Sequence, residues 1–164
     1  AITITLGVIW VMSSQSAPRE DAMIVTRAAS GATKNDFSFM SERYFSNYHY
    51  QLGFVFFSEI IMRIFHRGDE NMLYFQIINV VLLAAAYMGI ILMLRKTFES
   101  KRIQTIAVVT LLFCVQPILY SVFTYGVIPG ITFSIYAVLF EILYFQSEKK
   151  PNTYGQSFLS YVLA

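Results

Sequence analysis

Apolar residues fall in blocks of two lengths along the chain. The long blocks, 72–94, 103–123 and 127–145, approach or exceed the roughly 20 apolar residues that a helix needs to cross a hydrocarbon core, and they predict three membrane helices. The run 1–12 is apolar but too short for a complete span. With no basic flank before it, it reads as the end of a first membrane helix rather than a signal peptide. The run 158–164 reads as the start of a further helix, and apolar runs at both ends suggest a piece of a longer membrane protein.

Shorter patterns lie between residues 13 and 71. Pro18 followed by Arg19, Glu20 and Asp21 suits a helix start, because proline fits a first turn and carboxylates meet the positive end of the helix dipole there. Ala22, Val25, Ala28 and Ala29 recur at helical spacing, and Ser30-Gly31 predicts the stop. Asn35-Asp36 and Ser46-Asn47 predict loops. Residues 50–65 are too short to cross and carry Glu59 and Arg63 four positions apart, an ordinary helical ion pair. Gln51, Ser58, Glu59, Arg63 and His66 fall near one stripe, which predicts an amphipathic helix lying in the membrane interface. The expected fold is therefore an all-α integral membrane bundle with two membrane-parallel helices in its first outer loop.

Composition agrees with this pattern. Of 164 residues, 56% are hydrophobic and 13% charged, and the mean hydropathy is +0.55. Soluble domains run at roughly 45–50% apolar and about 25% charged. The net charge of +2 gives no reason to expect a nucleic-acid partner. Its distribution sets orientation. Residues 13–71 hold six basic and seven acidic side chains, a net −1, whereas 95–102 and 146–156 together hold six basic and two acidic, a net +4. Short loops rich in Lys and Arg stay cytoplasmic, so 13–71 is expected outside, in a multi-pass plasma-membrane protein. Cys114 has no partner for an intramolecular disulfide and reads as a small buried hydrophobe.

Within the long blocks, Gln76 and Asn79 share one helix face and predict hydrogen bonds to a neighbouring helix. Glu141 sits five residues before Gln146 and is expected to snorkel to the cytoplasmic face. Tyr44, Phe45, Tyr48 and Tyr50 read as an interfacial aromatic belt. Gly-rich phosphate loops, cysteine pairs and HExxH are missing, which leaves the acidic pair Glu20-Asp21 as the place where chemistry could sit. A carboxylate there is close to bilayer-anchored substrates yet open to water, as a general base acting on a lipid-carried donor would need to be.

The order of these features resembles a known class. A first membrane helix leads to Pro18-x-x-Asp21-x-x-x-Val25-x-x-Ala28, then to Tyr48-His49-Tyr50-Gln51-Leu52-Gly53, then to a helix ending Arg63-Ile64-Phe65 and a long span closed by Leu94-Arg95-Lys96. This order is similar to the amino-terminal part of bacterial multi-pass GT-C glycosyltransferases, such as dolichyl-phosphate-mannose protein mannosyltransferases and the aminoarabinose transferases of lipid A. Two departures stand out: His49 replaces a usual proline, and the outer hairpin from Tyr125 to Gly130 has no acid.

The resemblance implies inverting transfer of a sugar from a polyprenyl phosphate to a hydroxyl of a glycan, lipid or protein acceptor on the outer face. Asp21 would be the general base, and Glu20, Arg19, Arg43, His49 and Gln51 would bind substrate. The class allows a divalent cation, but no ligand cluster in the sequence requires one. The competing readings are a transporter or flippase subunit using Gln76, Asn79 and Glu141, and a membrane scaffold without catalysis.

Overall fold

The computed structural model describes residues 2–14, 17–66 and 72–146, and among them every regular element is helical. Helix α1 (Ile2–Ser14) leads to the layer expected to be the outer loop, made of α2 (Glu20–Thr33), a 3-10 turn (Ser38–Ser41), α3 (Arg43–Asn47) and α4 (Gln51–Phe65). The membrane part continues with α5 (Leu73–Thr97), α6 (Lys101–Phe113), α7 (Gln116–Leu119), a second 3-10 turn (Tyr120–Val122) and α8 (Val127–Gln146). Three stretches, Leu73–Thr97, Lys101–Val122 and Val127–Gln146, are long and apolar enough to cross a membrane, as a membrane protein requires.

Helix α5 is the axis of the bundle, with α1 and α8 packed on it. Both contacts pass over a glycine. A Cβ on Gly7 would stand 2.8 Å from Val80 Cγ1, and one on Gly89 would stand 2.7 Å from Ile135 Cγ2. Small residues let helix backbones approach in this way where lipid offers no hydrophobic drive to associate.

The outer-loop layer has its own core. Val25, Ala28, Ala29 and Ala32 of α2 form one cluster with Val55, Ile61 and Met62 of α4, closed by Phe39, Phe45 and Phe75. Asp36 accepts the Ser38 amide at 3.0 Å, and this contact with Ser38 holds its carboxyl below the ordinary carboxylate range. Arg63 ties the layer together. It pairs with Glu59 at 2.8 Å, as expected, and also donates to the Ala32 carbonyl at 2.8 Å and to Asn35 Oδ1. Its guanidinium therefore closes the negative end of α2.

Several expectations are corrected. Helix α2 runs through Ser30-Gly31 to Thr33, because Ser30 is buried in the layer and the turn is made at Asn35, whose φ of 61° is left-handed. Ser46-Asn47 is the end of α3, not a loop. Phe45 is 2% exposed and packs edge-on against Phe39, so it belongs to the core and not to a surface belt. On α4 the polar stripe is divided: Gln51 and Ser58 face inward, whereas Phe56, Ile60 and Ile64 form an exposed apolar row.

The block 103–123, the third apolar segment when 1–12 is counted as the first, is broken where a continuous span was predicted. Pro117 cannot donate to the carbonyl four residues back, that of Phe113, and its ring would clash there, so α6 ends at Phe113. Cys114 lies at this break and is exposed, with its carbonyl accepting from Tyr87 at 3.1 Å. The irregular backbone that follows finds donors on other helices. Gln76 donates to the Val122 carbonyl at 3.0 Å, Asn79 to the carbonyls of Ser121 and Phe123, and Trp10 of α1 to that of Leu119. Gln76 and Asn79 thus make the expected bonds across the bundle, with the second 3-10 turn and the residue after it as partners. The expected charged tract 146–156 and the helix start at 158–164 lie outside the described residues, save for Gln146, which donates to the Lys96 carbonyl.

Candidate functional site

Asp21 stands in the first turn of α2, one residue after an unusual backbone step. Arg19 is extended, and Glu20, the first residue of α2, is left-handed with a φ of 49°. A left-handed conformation is costly for a residue with a Cβ, and here it sets the direction in which the chain enters α2. Pro18 precedes this step and so lies outside the helix it was expected to open. Asp21 is exposed to the outer-loop surface.

Two tyrosines pack against the core of this layer. Tyr44 comes from α3, and Tyr125 from the segment between the second 3-10 turn and α8. The Tyr44 hydroxyl is buried without a well-aligned hydrogen bond. Burial, the adjacent Tyr125 hydroxyl and the negative charge of Asp21 all push its ionisation upward, so it is a neutral donor at physiological pH. Gln51, at the start of α4, donates through Nε2 to the Tyr125 oxygen. Packing holds this junction: the Phe54 and Tyr125 rings lie 6.4 Å apart, and Gly126 seats so closely on Phe54 that a Cβ would stand 3.3 Å from the ring. Gln51 and Tyr125 therefore connect α4 to the segment before α8, with Tyr44 of α3 packed against the same core.

The other expected site residues are less gathered. Arg19, Glu20, Arg43 and His49 are exposed, and neither Arg19 nor Arg43 pairs with a carboxylate among the described residues. Arg43 directly precedes Tyr44, and the His49 ring lies 6.4 Å from that of Tyr50. From Tyr44 the aromatic row continues outward through Tyr48, at 5.1 Å, to Tyr50, at 6.1 Å from Tyr48. Tyr125 was not singled out as a site residue from the sequence, because a hydroxyl amid a hairpin of apolar residues has no spacing pattern linking it to position 51.

Two cavities lie elsewhere, and none of these residues lines them. One of about 410 Å³ opens between α5, α6–α7 and α8 and is lined by apolar groups, including Leu83, Ile90, Leu111, Pro117 and Ile131. The other, of about 240 Å³, lies along α2 and the first 3-10 turn, where Arg27, Asp36 and Glu42 supply charge. Its wall residues Ile24, Ala28 and Gly31 follow Asp21 at three, seven and ten positions, on the same face of the helix. Among the described residues, no three His, Cys, Asp or Glu side chains gather as a metal site. Comparison of the chain with protein-family models, with curated proteins and with solved structures gives no match.

Proposed function

We propose that the chain is the amino-terminal part of a GT-C-like membrane glycosyltransferase that moves a sugar from a polyprenyl phosphate to an acceptor hydroxyl on the outer face of the plasma membrane. The observation that carries this reading is the place of Asp21, exposed in the first turn of the helix that follows the first apolar helix. A carboxylate open to water in a layer packed on apolar spanning helices suits a reaction between a lipid-held donor and an acceptor arriving from outside. A cavity of about 410 Å³ between the apolar helices is lined by hydrocarbon and has the character an isoprenoid tail would require.

In this mechanism the acceptor hydroxyl loses its proton to Asp21 as its oxygen attacks the anomeric carbon opposite the phosphate. The carbon–oxygen bond to phosphate breaks, the configuration inverts, and polyprenyl phosphate leaves with the bonding electrons. The leaving anion needs cationic or hydrogen-bonding support rather than a strong acid. Arg19, Arg43 and His49 are exposed on the same outer layer and supply that chemistry. Glu20 and Gln51 complete the proposed binding set, although the Gln51 amide already donates to Tyr125.

A transporter would share the broken third segment. Yet the amides of Gln76 and Asn79, which would have to line its pathway, donate instead to backbone carbonyls. The deciding experiment is Asp21→Asn in the full-length protein. It should lower sugar transfer by about 10²–10⁴-fold with membrane abundance and donor binding preserved, while Glu20→Gln stays much closer to the parent. Turnover by Asp21→Asn within a few-fold of the parent would reduce Asp21 to a helix-end carboxylate and remove the reading.

A further inference from the structure

The smaller cavity, of about 240 Å³, has no part in the chemistry proposed above. Backbone contacts fix its floor: the Gly31 carbonyl accepts from the amides of Lys34 and Asp36, and a Cβ on Gly31 would stand 3.3 Å from the Asp36 carbonyl oxygen. Three charged side chains line it, Arg27 from α2, Asp36 from the turn after that helix and Glu42 from the residue before α3. Among the described residues no ion pair joins Arg27 to either carboxylate. Asp36 uses Oδ1 to accept the Ser38 amide and has a second oxygen to offer. Glu42 is held through its backbone carbonyl, which accepts from Ser46, so its side chain is placed without being occupied.

These charges restrict what can bind. A simple anion meets two carboxylates and a simple cation meets a guanidinium, whereas a ligand carrying both signs satisfies all three groups. Phe39 also lines the cavity, but it is 5% exposed with its ring set against Phe37 and Phe45, so it offers little face for a sugar to stack on. The volume lies below the roughly 300–1,000 Å³ of sites for drug-sized ligands, so the group that enters is small. Phe75, in the first turn of the spanning helix α5, belongs to the same core as Ala28 and Phe39 of the cavity wall. The cavity therefore lies in a layer docked on the end of a span, the level at which lipid headgroups sit. We propose that it binds an ethanolamine phosphodiester, whose primary ammonium donates to Asp36 and Glu42 and whose phosphate accepts from Arg27. An ammonium has three donors to share between two carboxylates, and a guanidinium matches phosphate oxygens in pairs. A lipid headgroup and a free glycerol ester both carry this chemistry. The site is independent of the glycosyltransferase reading, because Asp21 does not line the cavity.

The test titrates the full-length protein in detergent with glycerophosphoethanolamine and with glycerophosphocholine by calorimetry. In parallel it measures melting temperature in phosphatidylcholine nanodiscs, alone and with phosphatidylethanolamine or phosphatidylglycerol added. Choline carries the same charge as ethanolamine but has no N–H, so it separates hydrogen bonding to the carboxylates from charge alone. At least one ethanolamine form, free or lipid, should bind about tenfold more tightly than its choline counterpart. Arg27→Gln, Asp36→Asn and Glu42→Gln should each weaken that binding by about tenfold. Lys34→Gln removes an exposed cation that does not line the cavity and should match the parent. Where Asp36→Asn disturbs the turn at Ser38, Arg27→Gln and Glu42→Gln decide, since both side chains are exposed. Binding of the free ester supports the site with a soluble source, and stabilisation by phosphatidylethanolamine alone supports it with the bilayer as source. No response in either arm, an equal response to ethanolamine and choline forms, an equal response to phosphatidylglycerol, or binding indifferent to both Arg27→Gln and Glu42→Gln overturns it.

Discussion

Single side chains carry unusual weight in the outer-loop layer. Arg63 is expected from the sequence to pair with Glu59, and it does, but the sequence does not reveal that the same guanidinium closes α2 at Ala32 and Asn35. That second role depends on which way α4 crosses α2, which is settled by packing and not by spacing. Arg63→Met should therefore destabilise the fold more than Glu59→Gln does. The guanidinium is partly exposed, so solvent screening reduces the loss to about 1 kcal/mol, read as a shift in detergent-solubilised unfolding. Equal shifts for the two variants would mean that the contact with α2 adds nothing. Tyr44 gives a test by pH. Its ionisation is raised above the ordinary 10.0 in the folded protein, so its neutral form is the favoured one and stability is lost as pH rises beyond about 10. Tyr44→Phe should narrow the gap in melting temperature between pH 8 and pH 11 relative to the parent.

Helices are where sequence and structure agree best and also where they part. The apolar blocks predict α5 and α8 almost end to end, because length and hydropathy alone determine a membrane helix. The same criteria run straight through Cys114 and miss the break before Pro117, since a proline inside an apolar block does not show whether the helix kinks or stops. What makes a stop tolerable is the supply of donors from α5. Asn79→Leu removes the side-chain donor of two carbonyls and should cost about 1–3 kcal/mol, more than Asn79→Gln, as measured by unfolding in mild detergent. The crossing of α5 and α8 offers a steric counterpart. Gly89→Val places atoms where Ile135 already lies and should loosen that helix pair, whereas Gly53→Ala, in open space on α4, should leave it unchanged.

For the whole molecule, the candidate site was legible as a position and not as an assembly. Asp21 could be picked out from its place after an apolar run, but the bond between Gln51 and Tyr125 joins two separate elements, and no local pattern records such a meeting. The inward turn of Gln51 and Ser58 on α4 was hidden for the same reason: a helix with two different apolar environments, one protein and one lipid, does not sort its residues by polarity alone. The charge distribution still makes a global prediction. In a Cys114→Ala background, cysteines at Lys34 and Ser100 should react with an impermeant thiol reagent from opposite sides of the membrane, and labelling of both from outside in intact cells would overturn the proposed orientation. The exposed row of Phe56, Ile60 and Ile64 predicts in turn that a nitroxide at position 60 meets oxygen dissolved in lipid more often than a water-soluble nickel chelate.

The broken third segment also bears on the order of biogenesis. Synthesis runs from the amino terminus, so α1 and α5 leave the ribosome before residues 119–123 do. The indole of Trp10 and the amides of Gln76 and Asn79 are thus already in the membrane when the carbonyls that need them arrive. Had the donors lain on α8 instead, those carbonyls would have waited in lipid for a later helix. A circular permutation that moves α5 behind α8 keeps every contact of the finished bundle but reverses that timing, so it should be caught by membrane quality control during insertion even where its final fold is sound.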